Sequence, residues 1–248
     1  MAASVPALRA AGSARNAVVV ELFTSEGCSS CPPADGLLTQ LDRDGWGGVE
    51  VLALSEHVDY WNHLGWADAY SSPLFSVRQQ QYASRFRMDT VYTPQVVVNG
   101  YAEALGSDSL KVGAAIDRAA RLPAAAVSVE RTGFQSGDDH DSARLRIAID
   151  AVPQQFKDAT FDIVLVLTES GLSSRVSRGE NAGRELSHTG VVRSLTRIAE
   201  LSPRKAKGYS ATLLAPVARS WNRRRTRAIV FLQDRDTQVI TGGGSCQI

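Results

Sequence analysis

The sequence predicts an α/β domain over residues 16–123, with a mixed sheet and helices on both faces, followed by a mostly antiparallel, sandwich-like β domain over residues 124–248. Apolar runs alternate with helix-period patterns before Pro123, whereas only short runs follow it. Residues 1–122 carry nine Lys and Arg against thirteen Asp and Glu, and the rest of the chain carries eighteen against thirteen. Both observations place a domain boundary near Pro123.

The first predicted strand and helix carry the central motif. An apolar run over 18–23 reads as a buried strand, and apolar residues at helical spacing over 37–41 indicate a helix. Cys28 and Cys31 stand three apart where that helix begins. A buried strand that leads into a helix with C-x-x-C in its first turn is typical of a thioredoxin-like fold.

The start of a helix favours a reactive thiol. Its first N–H groups lack intrahelical partners and the helix dipole is positive there, so the pKa of a thiol falls below its free value of about 8.5. Cys28 is therefore the candidate nucleophile, and Cys31 the residue that resolves a mixed disulfide. Two alternatives are half of a zinc site, for which further Cys or His ligands are needed, and a structural or inert pair. The one other cysteine is Cys246.

The remaining elements follow in order. Ser72 and Pro73 have the residue types of a helix cap and first position. Asn99 and Gly100 indicate a hairpin turn after a Val run. The predicted elements are a strand at 49–54, a helix at 74–88, a strand and its hairpin partner within 91–105, a helix at 109–122, and then strands at 127–131, 143–151, 161–168, 191–201, 210–214, 228–233 and 238–241.

Composition excludes several classes of protein. Hydrophobic residues make up 44% of the 248 positions and charged residues 21%, which is ordinary for a soluble globular chain. A net charge of +1 argues against nucleic-acid binding, and no apolar stretch approaches the roughly 18 residues of a membrane span. Residues 1–15 lack the regions of an intact signal peptide and are predicted to be a disordered tail or a leader remnant.

Thr93-Pro94 resembles the cis-proline loop that faces C-x-x-C in the thioredoxin superfamily. The resemblance implies that Thr93 offers its backbone to an extended substrate and that Pro94 packs against the two cysteines. The alternative is an ordinary proline at the start of a strand.

Four stretches resemble a family of bacterial, mostly secreted, thioredoxin-like proteins classed as a domain of unknown function. The resemblance covers about residues 16–241 and implies the thioredoxin-like fold and a periplasmic or secreted location, with the cytoplasm as the alternative. It implies no particular reaction. The stretches are ELFTSEGCSSCPPAD, HVDYWNHLGW, TPQVVVNG and GENAGRELSHTGVVRSL.

The chain departs from thioredoxin between the cysteines, where it has Ser29 and Ser30 instead of Gly-Pro. Two hydroxyls beside the sulfurs stabilise a thiolate and shift the redox poise toward the oxidising side. Thioredoxins also keep a buried acid on the first strand, and Glu21 stands close to that position, one residue further from Cys28. It is a candidate for proton transfer with Cys31, the alternative being a salt-bridged structural carboxylate.

His57 and Trp61 follow the second predicted strand, whose end lies at the same edge as that of the first. His57 is a candidate for stabilising the Cys28 thiolate, or for binding copper or zinc with both cysteines, against the alternative of a structural histidine. Trp61 is a candidate for the substrate rim or for plain core packing.

Three residues of the second half are further candidates. His188 and Asn181 are able to reach over the motif from the other domain, although a structural role is the alternative for His188. Cys246 is either a third redox partner or a solitary thiol.

The leading hypothesis is a thiol–disulfide oxidoreductase that acts on a protein or small-molecule thiol or disulfide and needs no cofactor beyond its own disulfide. In that hypothesis Cys28, Cys31, Pro94 and Glu21 are catalytic, and Thr93, Ser29, Ser30 and Trp61 bind substrate. The alternatives are a copper- or zinc-binding module that uses Cys28, Cys31 and His57, and a non-catalytic interaction protein.

Overall fold

A computed structural model describes residues 17–138 and 140–248. The predicted tail or leader remnant at 1–15 lies outside these residues. Within the first half, every helix and strand expected from the sequence is present, and the ends of the second strand and of the second and third helices differ from the predicted ones by at most three residues. The elements are β1 (Val18–Thr24), α1 (Pro32–Asp44), β2 (Val51–His57), α2 (Pro73–Phe86), β3 (Gln95–Val98), β4 (Ala102–Leu105) and α3 (Ser109–Ala119).

The second half consists of strands and short 3₁₀ turns. Each strand predicted from the sequence overlaps an observed one, and the β8–β9 hairpin was not predicted. The strands are β5 (Val127–Gln135), β6 (Asp141–Ile149), β7 (Phe161–Glu169), β8 (Leu172–Arg175), β9 (Glu185–His188), β10 (Val191–Leu201), β11 (Tyr209–Val217), β12 (Thr226–Asp234) and β13 (Ile240–Gln247).

Eight strands from both halves form one mixed sheet, in the order β13-β12-β7-β10-β2-β1-β3-β4. β1 and β2 are parallel over their whole length, and β3 and β4 continue the sheet in antiparallel pairing. β10 joins β2 in parallel through the single pair Val191 and Ser55. The sheet therefore continues across Pro123, and the division into two domains there stays a prediction.

A second sheet, of β5, β6 and β11, packs on the part of the large sheet that contains β7 and β12. In β6 the apolar residues of the Ala143–Ile149 stretch are buried at every second position, whereas Arg144 and Arg146 are exposed. This alternation is the signature of an antiparallel strand with one face in the core. The two sheets enclose a shared apolar core, as in a sandwich.

The part of the large sheet formed by β2, β1 and β3 has helices on both faces. Val18, Val20 and Leu22 of β1 pack with α1 and α3, whereas Val19 and Phe23 pack with residues of α2. Successive side chains of a strand point to opposite faces, so each residue of β1 is assigned to one helix layer by its position. No helix among the described residues is both long and apolar enough to cross a membrane.

Candidate functional site

The two cysteines of the motif are joined as a disulfide at the start of α1. Their Cα atoms are 5.4 Å apart, and Cys31 is the residue immediately before the first helical residue, Pro32. Proline suits that position because the N–H it lacks has no partner within the helix. Both cysteines are 0% exposed, whereas Ser29 and Ser30 between them are exposed. The Ser30 hydroxyl lies 3.4 Å from Cys28 Sγ.

A loop between β8 and β9, residues 176–184, covers the motif. The side-chain amide of Asn181 donates to the carbonyl oxygens of Glu26 and Cys28, both at 2.9 Å. Glu180 Oε2 accepts from the Ser29 N–H at 3.0 Å. Asn181, a candidate from the sequence, therefore lies at the motif, together with Glu180, which the sequence analysis did not select.

The Thr93–Pro94 peptide bond is cis. A Cβ atom built on Gly106 would lie 3.1 Å from Pro94 Cβ and 3.0 Å from Ala34 Cβ, so Gly106 lies between the proline and the first turn of α1. Trp61 Nε1 donates to Thr93 Oγ1 at 2.9 Å. Trp61 Cβ would also be 3.1 Å from a Cβ built on Gly27, next to Cys28. The structure thus brings Thr93, Pro94 and Trp61 to the neighbourhood of the motif.

His57 is completely buried at the end of β2, and its Nδ1 lies within hydrogen-bond distance of Asp68 Oδ2, at 2.7 Å. Burial by itself lowers the pKa of His57, but the hydrogen bond and charge of Asp68 raise it overall. Burial likewise raises the pKa of Asp68, but the hydrogen bond and charge of His57 lower it overall. Asp68 Oδ2 also accepts from the Glu26 N–H at 2.9 Å, two residues before Cys28.

His188 forms a second buried carboxylate–imidazole pair. Its Nε2 lies 3.1 Å from Glu26 Oε1, and Trp66 donates to the other oxygen of Glu26 at 2.8 Å. Burial raises the pKa of Glu26, but hydrogen bonds, that of His188 first, lower it overall. The rings of His57 and His188 meet edge to face, with centroids 4.8 Å apart. Among the described residues, His57 Nε2 and His188 Nδ1 have no hydrogen-bond partner.

Asp35, on α1, completes this buried cluster. Its carboxylate accepts from the Thr24 hydroxyl at 3.0 Å, and Thr24 is the register partner of His57 across the parallel strands. Burial raises the pKa of Asp35, although the charges of His188 and His57 oppose the rise. Asp35 was not among the residues predicted from the sequence, where its position four residues after Cys31 is the available signal.

Glu21 is not brought to the cysteines, which corrects the prediction from the sequence. It points to the α2 face of β1, opposite α1, where Arg78 Nε and the Tyr82 hydroxyl bind its carboxylate, each at 2.6 Å. Glu56 lies in the same cluster, 3.5 Å from Arg78. Burial, followed by the charge of Glu21, raises the pKa of Glu56 well above its ordinary value. Glu21 is therefore a salt-bridged structural carboxylate, which was the alternative prediction for this residue.

The proposed metal ligands are not assembled in the disulfide form. Among residues 17–138 and 140–248, no group of three or more His, Cys, Asp or Glu side chains is placed to hold a metal ion. Cys28, Cys31 and His57 therefore do not form such a group. Cys246 lies on β13, paired with Ala228, and packs against the core between the two sheets. Burial raises the pKa of its thiol. It does not lie at the motif.

Comparison with known proteins places the chain in a family without assigning a reaction. No curated protein matches it. It is similar to the crystal structure of protein AGR_C_4864 from Agrobacterium tumefaciens, with a TM-score of 0.71 and 27% identity over 93% of each chain. HBP35 of Porphyromonas gingivalis shares the fold, with a TM-score of 0.56 and 15% identity over 96% of this chain and 77% of that one. The model of the family described as "Protein of unknown function (DUF1223)" matches residues 19–233, and the chain belongs to that family.

Proposed function

We propose that the protein is a thiol–disulfide oxidoreductase built on a thioredoxin-like domain. The observation that carries the proposal is the Cys28–Cys31 disulfide at the start of α1, directly after the buried parallel strand β1. The order β1-α1-β2-α2-β3-β4-α3, with strands side by side as β2-β1-β3-β4, supports the same assignment. The position of Pro94 beside that helix supports it further.

In the proposed reaction the reduced Cys28 thiolate attacks a substrate disulfide. A bond forms between Cys28 Sγ and one substrate sulfur, and the second substrate sulfur leaves as a thiolate. Cys31 then attacks Cys28 Sγ, which closes the protein disulfide and releases the first substrate sulfur. Two electrons pass from the protein to the substrate, and the reverse sequence oxidises a dithiol.

The substrate, a protein or small-molecule thiol or disulfide, is proposed to approach along Ser29, Ser30, Thr93 and Trp61. The two serines are exposed whereas both sulfurs are buried, so an attacking group reaches the disulfide past them. We place the reaction in the periplasm or outside the cell, where disulfides persist. Fractionation of the native host's cells tests this placement, and recovery in the cytoplasm contradicts it.

The complete burial of both sulfurs favours one competing function, a non-catalytic protein with a structural disulfide. Single-cysteine variants separate the two. Cys31→Ser removes the resolving thiol, so oxidised glutathione is expected to leave a stable glutathione adduct on Cys28, identified by mass spectrometry. Cys28→Ser is expected to form its adduct much more slowly at Cys31. Both variants carry Cys246→Ser, which removes the third thiol, and absence of an adduct at Cys28 contradicts the proposal.

A further inference from the structure

Asp35 lies on the same side of α1 as Cys31, one turn further along the chain. The Asp35 N–H donates to the Cys31 carbonyl oxygen at 3.1 Å, so the two residues are joined by a helical hydrogen bond. Side chains four apart on a helix are neighbours. Thr39, one more turn along, contacts Thr189 Oγ1 at 3.2 Å. This face of α1 therefore packs against the segment that carries His188.

Several titratable side chains surround Asp35. His57 and His188 each have a carboxylate on one ring nitrogen and no partner on the other among the described residues. Asp35 itself accepts a hydrogen bond from Thr24 and is only 8% exposed. Asp35 is thus buried one helical turn from a disulfide whose opening releases the Cys31 thiolate, and its carboxylate has the chemistry to accept and return a proton.

We propose that Asp35 takes the proton of the Cys31 thiol when Cys31 closes the disulfide and returns it when the disulfide is opened. The inference rests on the proposed thiol–disulfide exchange and names the group that accepts the proton in its second step.

The S–H bond of Cys31 breaks and its proton passes to the Asp35 carboxylate. The Cys31 sulfur forms a bond to Cys28 Sγ, the bond from Cys28 Sγ to the substrate sulfur breaks, and the substrate leaves with that electron pair as a thiolate. The thiolate takes a proton from water, and Asp35 keeps its proton until reduction of the disulfide returns it to the Cys31 thiolate.

The electrostatics of the cluster set the direction of the pH dependence. Burial raises the pKa of Asp35, the charges of His188 and His57 lower it, the Thr24 hydrogen bond lowers it, and Asp68 raises it. Glu26 faces the same space through its pair with His188. Because the acceptor is the ionised carboxylate, closure of the disulfide is expected to accelerate as pH rises through the pKa of Asp35.

The test separates the two thiol steps. In a Cys246→Ser background, reduced protein is mixed with equimolar 5,5′-dithiobis(2-nitrobenzoate). One thionitrobenzoate is released when Cys28 attacks and a second when Cys31 resolves the adduct. Asp35→Asn is expected to slow the second release by at least about 100-fold, the usual scale of general base catalysis, and to leave the first nearly unchanged. Asp35→Glu is expected to restore part of the rate, and Asp44→Asn, an exposed acid of the same helix, to behave as the parent.

The pH profile supplies a readout that a structural role does not move. Among the charges around Asp35, that of His188 has the largest lowering effect on its pKa, so in His188→Gln the midpoint of the second phase is expected to shift to higher pH. An unslowed second phase in folded Asp35→Asn overturns the inference and leaves the proposed function standing. Absence of the first phase in the parent overturns both.

Discussion

The side-chain amide of Asn181 donates a hydrogen bond to the carbonyl oxygen of Cys28 at 2.9 Å, across 153 positions of sequence. A second hydrogen bond from the same amide reaches the carbonyl of Glu26. The loop between β8 and β9 thus holds the backbone on the N-terminal side of the disulfide, and the C-x-x-C segment is fixed from both halves of the chain.

Asn181→Ala is expected to weaken this attachment. Two buried carbonyl oxygens lose their donor, which is expected to lower the free energy of unfolding by about 1–3 kcal/mol. The disulfide is expected to be reduced faster by dithiothreitol, because the backbone around Cys28 is less firmly held by the loop. Urea unfolding and timed thiol trapping measure the two effects. Arg178→Ala, an exposed change in the same loop, serves as the control. An unaltered rate of reduction in Asn181→Ala contradicts the role of the loop.

Glu21→Gln is expected to change stability without changing thiol exchange. Its carboxylate is bound by Arg78 and Tyr82 on the α2 face of β1, so the loss of charge-assisted hydrogen bonds lowers the free energy of unfolding by about 1.5–3 kcal/mol. The two phases of thionitrobenzoate release measure the exchange. A slowed second phase in this variant would contradict this expectation and would support the proton transfer between Glu21 and Cys31 that the sequence predicts.

The pair of His57 and Asp68 is expected to stabilise the fold most between about pH 4 and 6.5. The pKa of Asp68 is lowered from 3.8, so its contribution is present above that value and lost as pH falls through the folded pKa. The pKa of His57 is raised from 6.5, so its contribution is present below that value and lost as pH rises through the folded pKa.

The difference in unfolding free energy between the parent and His57→Gln, measured in urea at stepped pH, is therefore expected to be largest within this window. The exposed His63→Gln serves as the reference for a histidine without such a partner. A difference that grows above pH 7 is inconsistent with the paired, protonated imidazole.

Two glycines provide a matched test of packing at the motif. A Cβ on Gly106 would meet Ala34 and Leu22 at 3.0 Å and Pro94 at 3.1 Å, so Gly106→Ala is expected to destabilise the fold by about 1–3 kcal/mol. Gly36, within α1, has open space around it, and Gly36→Ala is expected to stabilise by roughly 0.5–1 kcal/mol. Thermal unfolding compares them. Equal melting temperatures for the two variants would show that Gly106 is not closely packed between Pro94 and α1.

The sequence predicts the half of the molecule around the motif because its signals there are local. Apolar periodicity defines β1 and α1, and Ser72 does cap α2, where its hydroxyl accepts from the Leu74 N–H. The β8–β9 hairpin escapes prediction because its strands have four residues each and their burial alternates without a strong apolar run. Within the loop that it carries, Asn181 was consequently the one candidate from the sequence.

The choice between Glu21 and Asp35 shows why a site is harder to predict than a fold. Alternation along β1 separates Glu21 from Thr24 onto opposite faces, and this much is visible in the sequence. Which face receives α1 and which receives α2 depends on tertiary packing, as does the approach of β9 to α1. The cluster of Asp35, His57 and His188 joins three distant segments, and no local pattern indicates that they meet.

The equilibrium between the Cys28–Cys31 disulfide and glutathione tests the central claim most directly. Protein carrying Cys246→Ser is equilibrated in buffers of stepped glutathione ratio, and the thiols are trapped and counted by mass spectrometry. The account predicts a reduction potential within the range of known exchange catalysts, roughly −120 to −270 mV. A potential below roughly −300 mV, typical of structural disulfides, contradicts it.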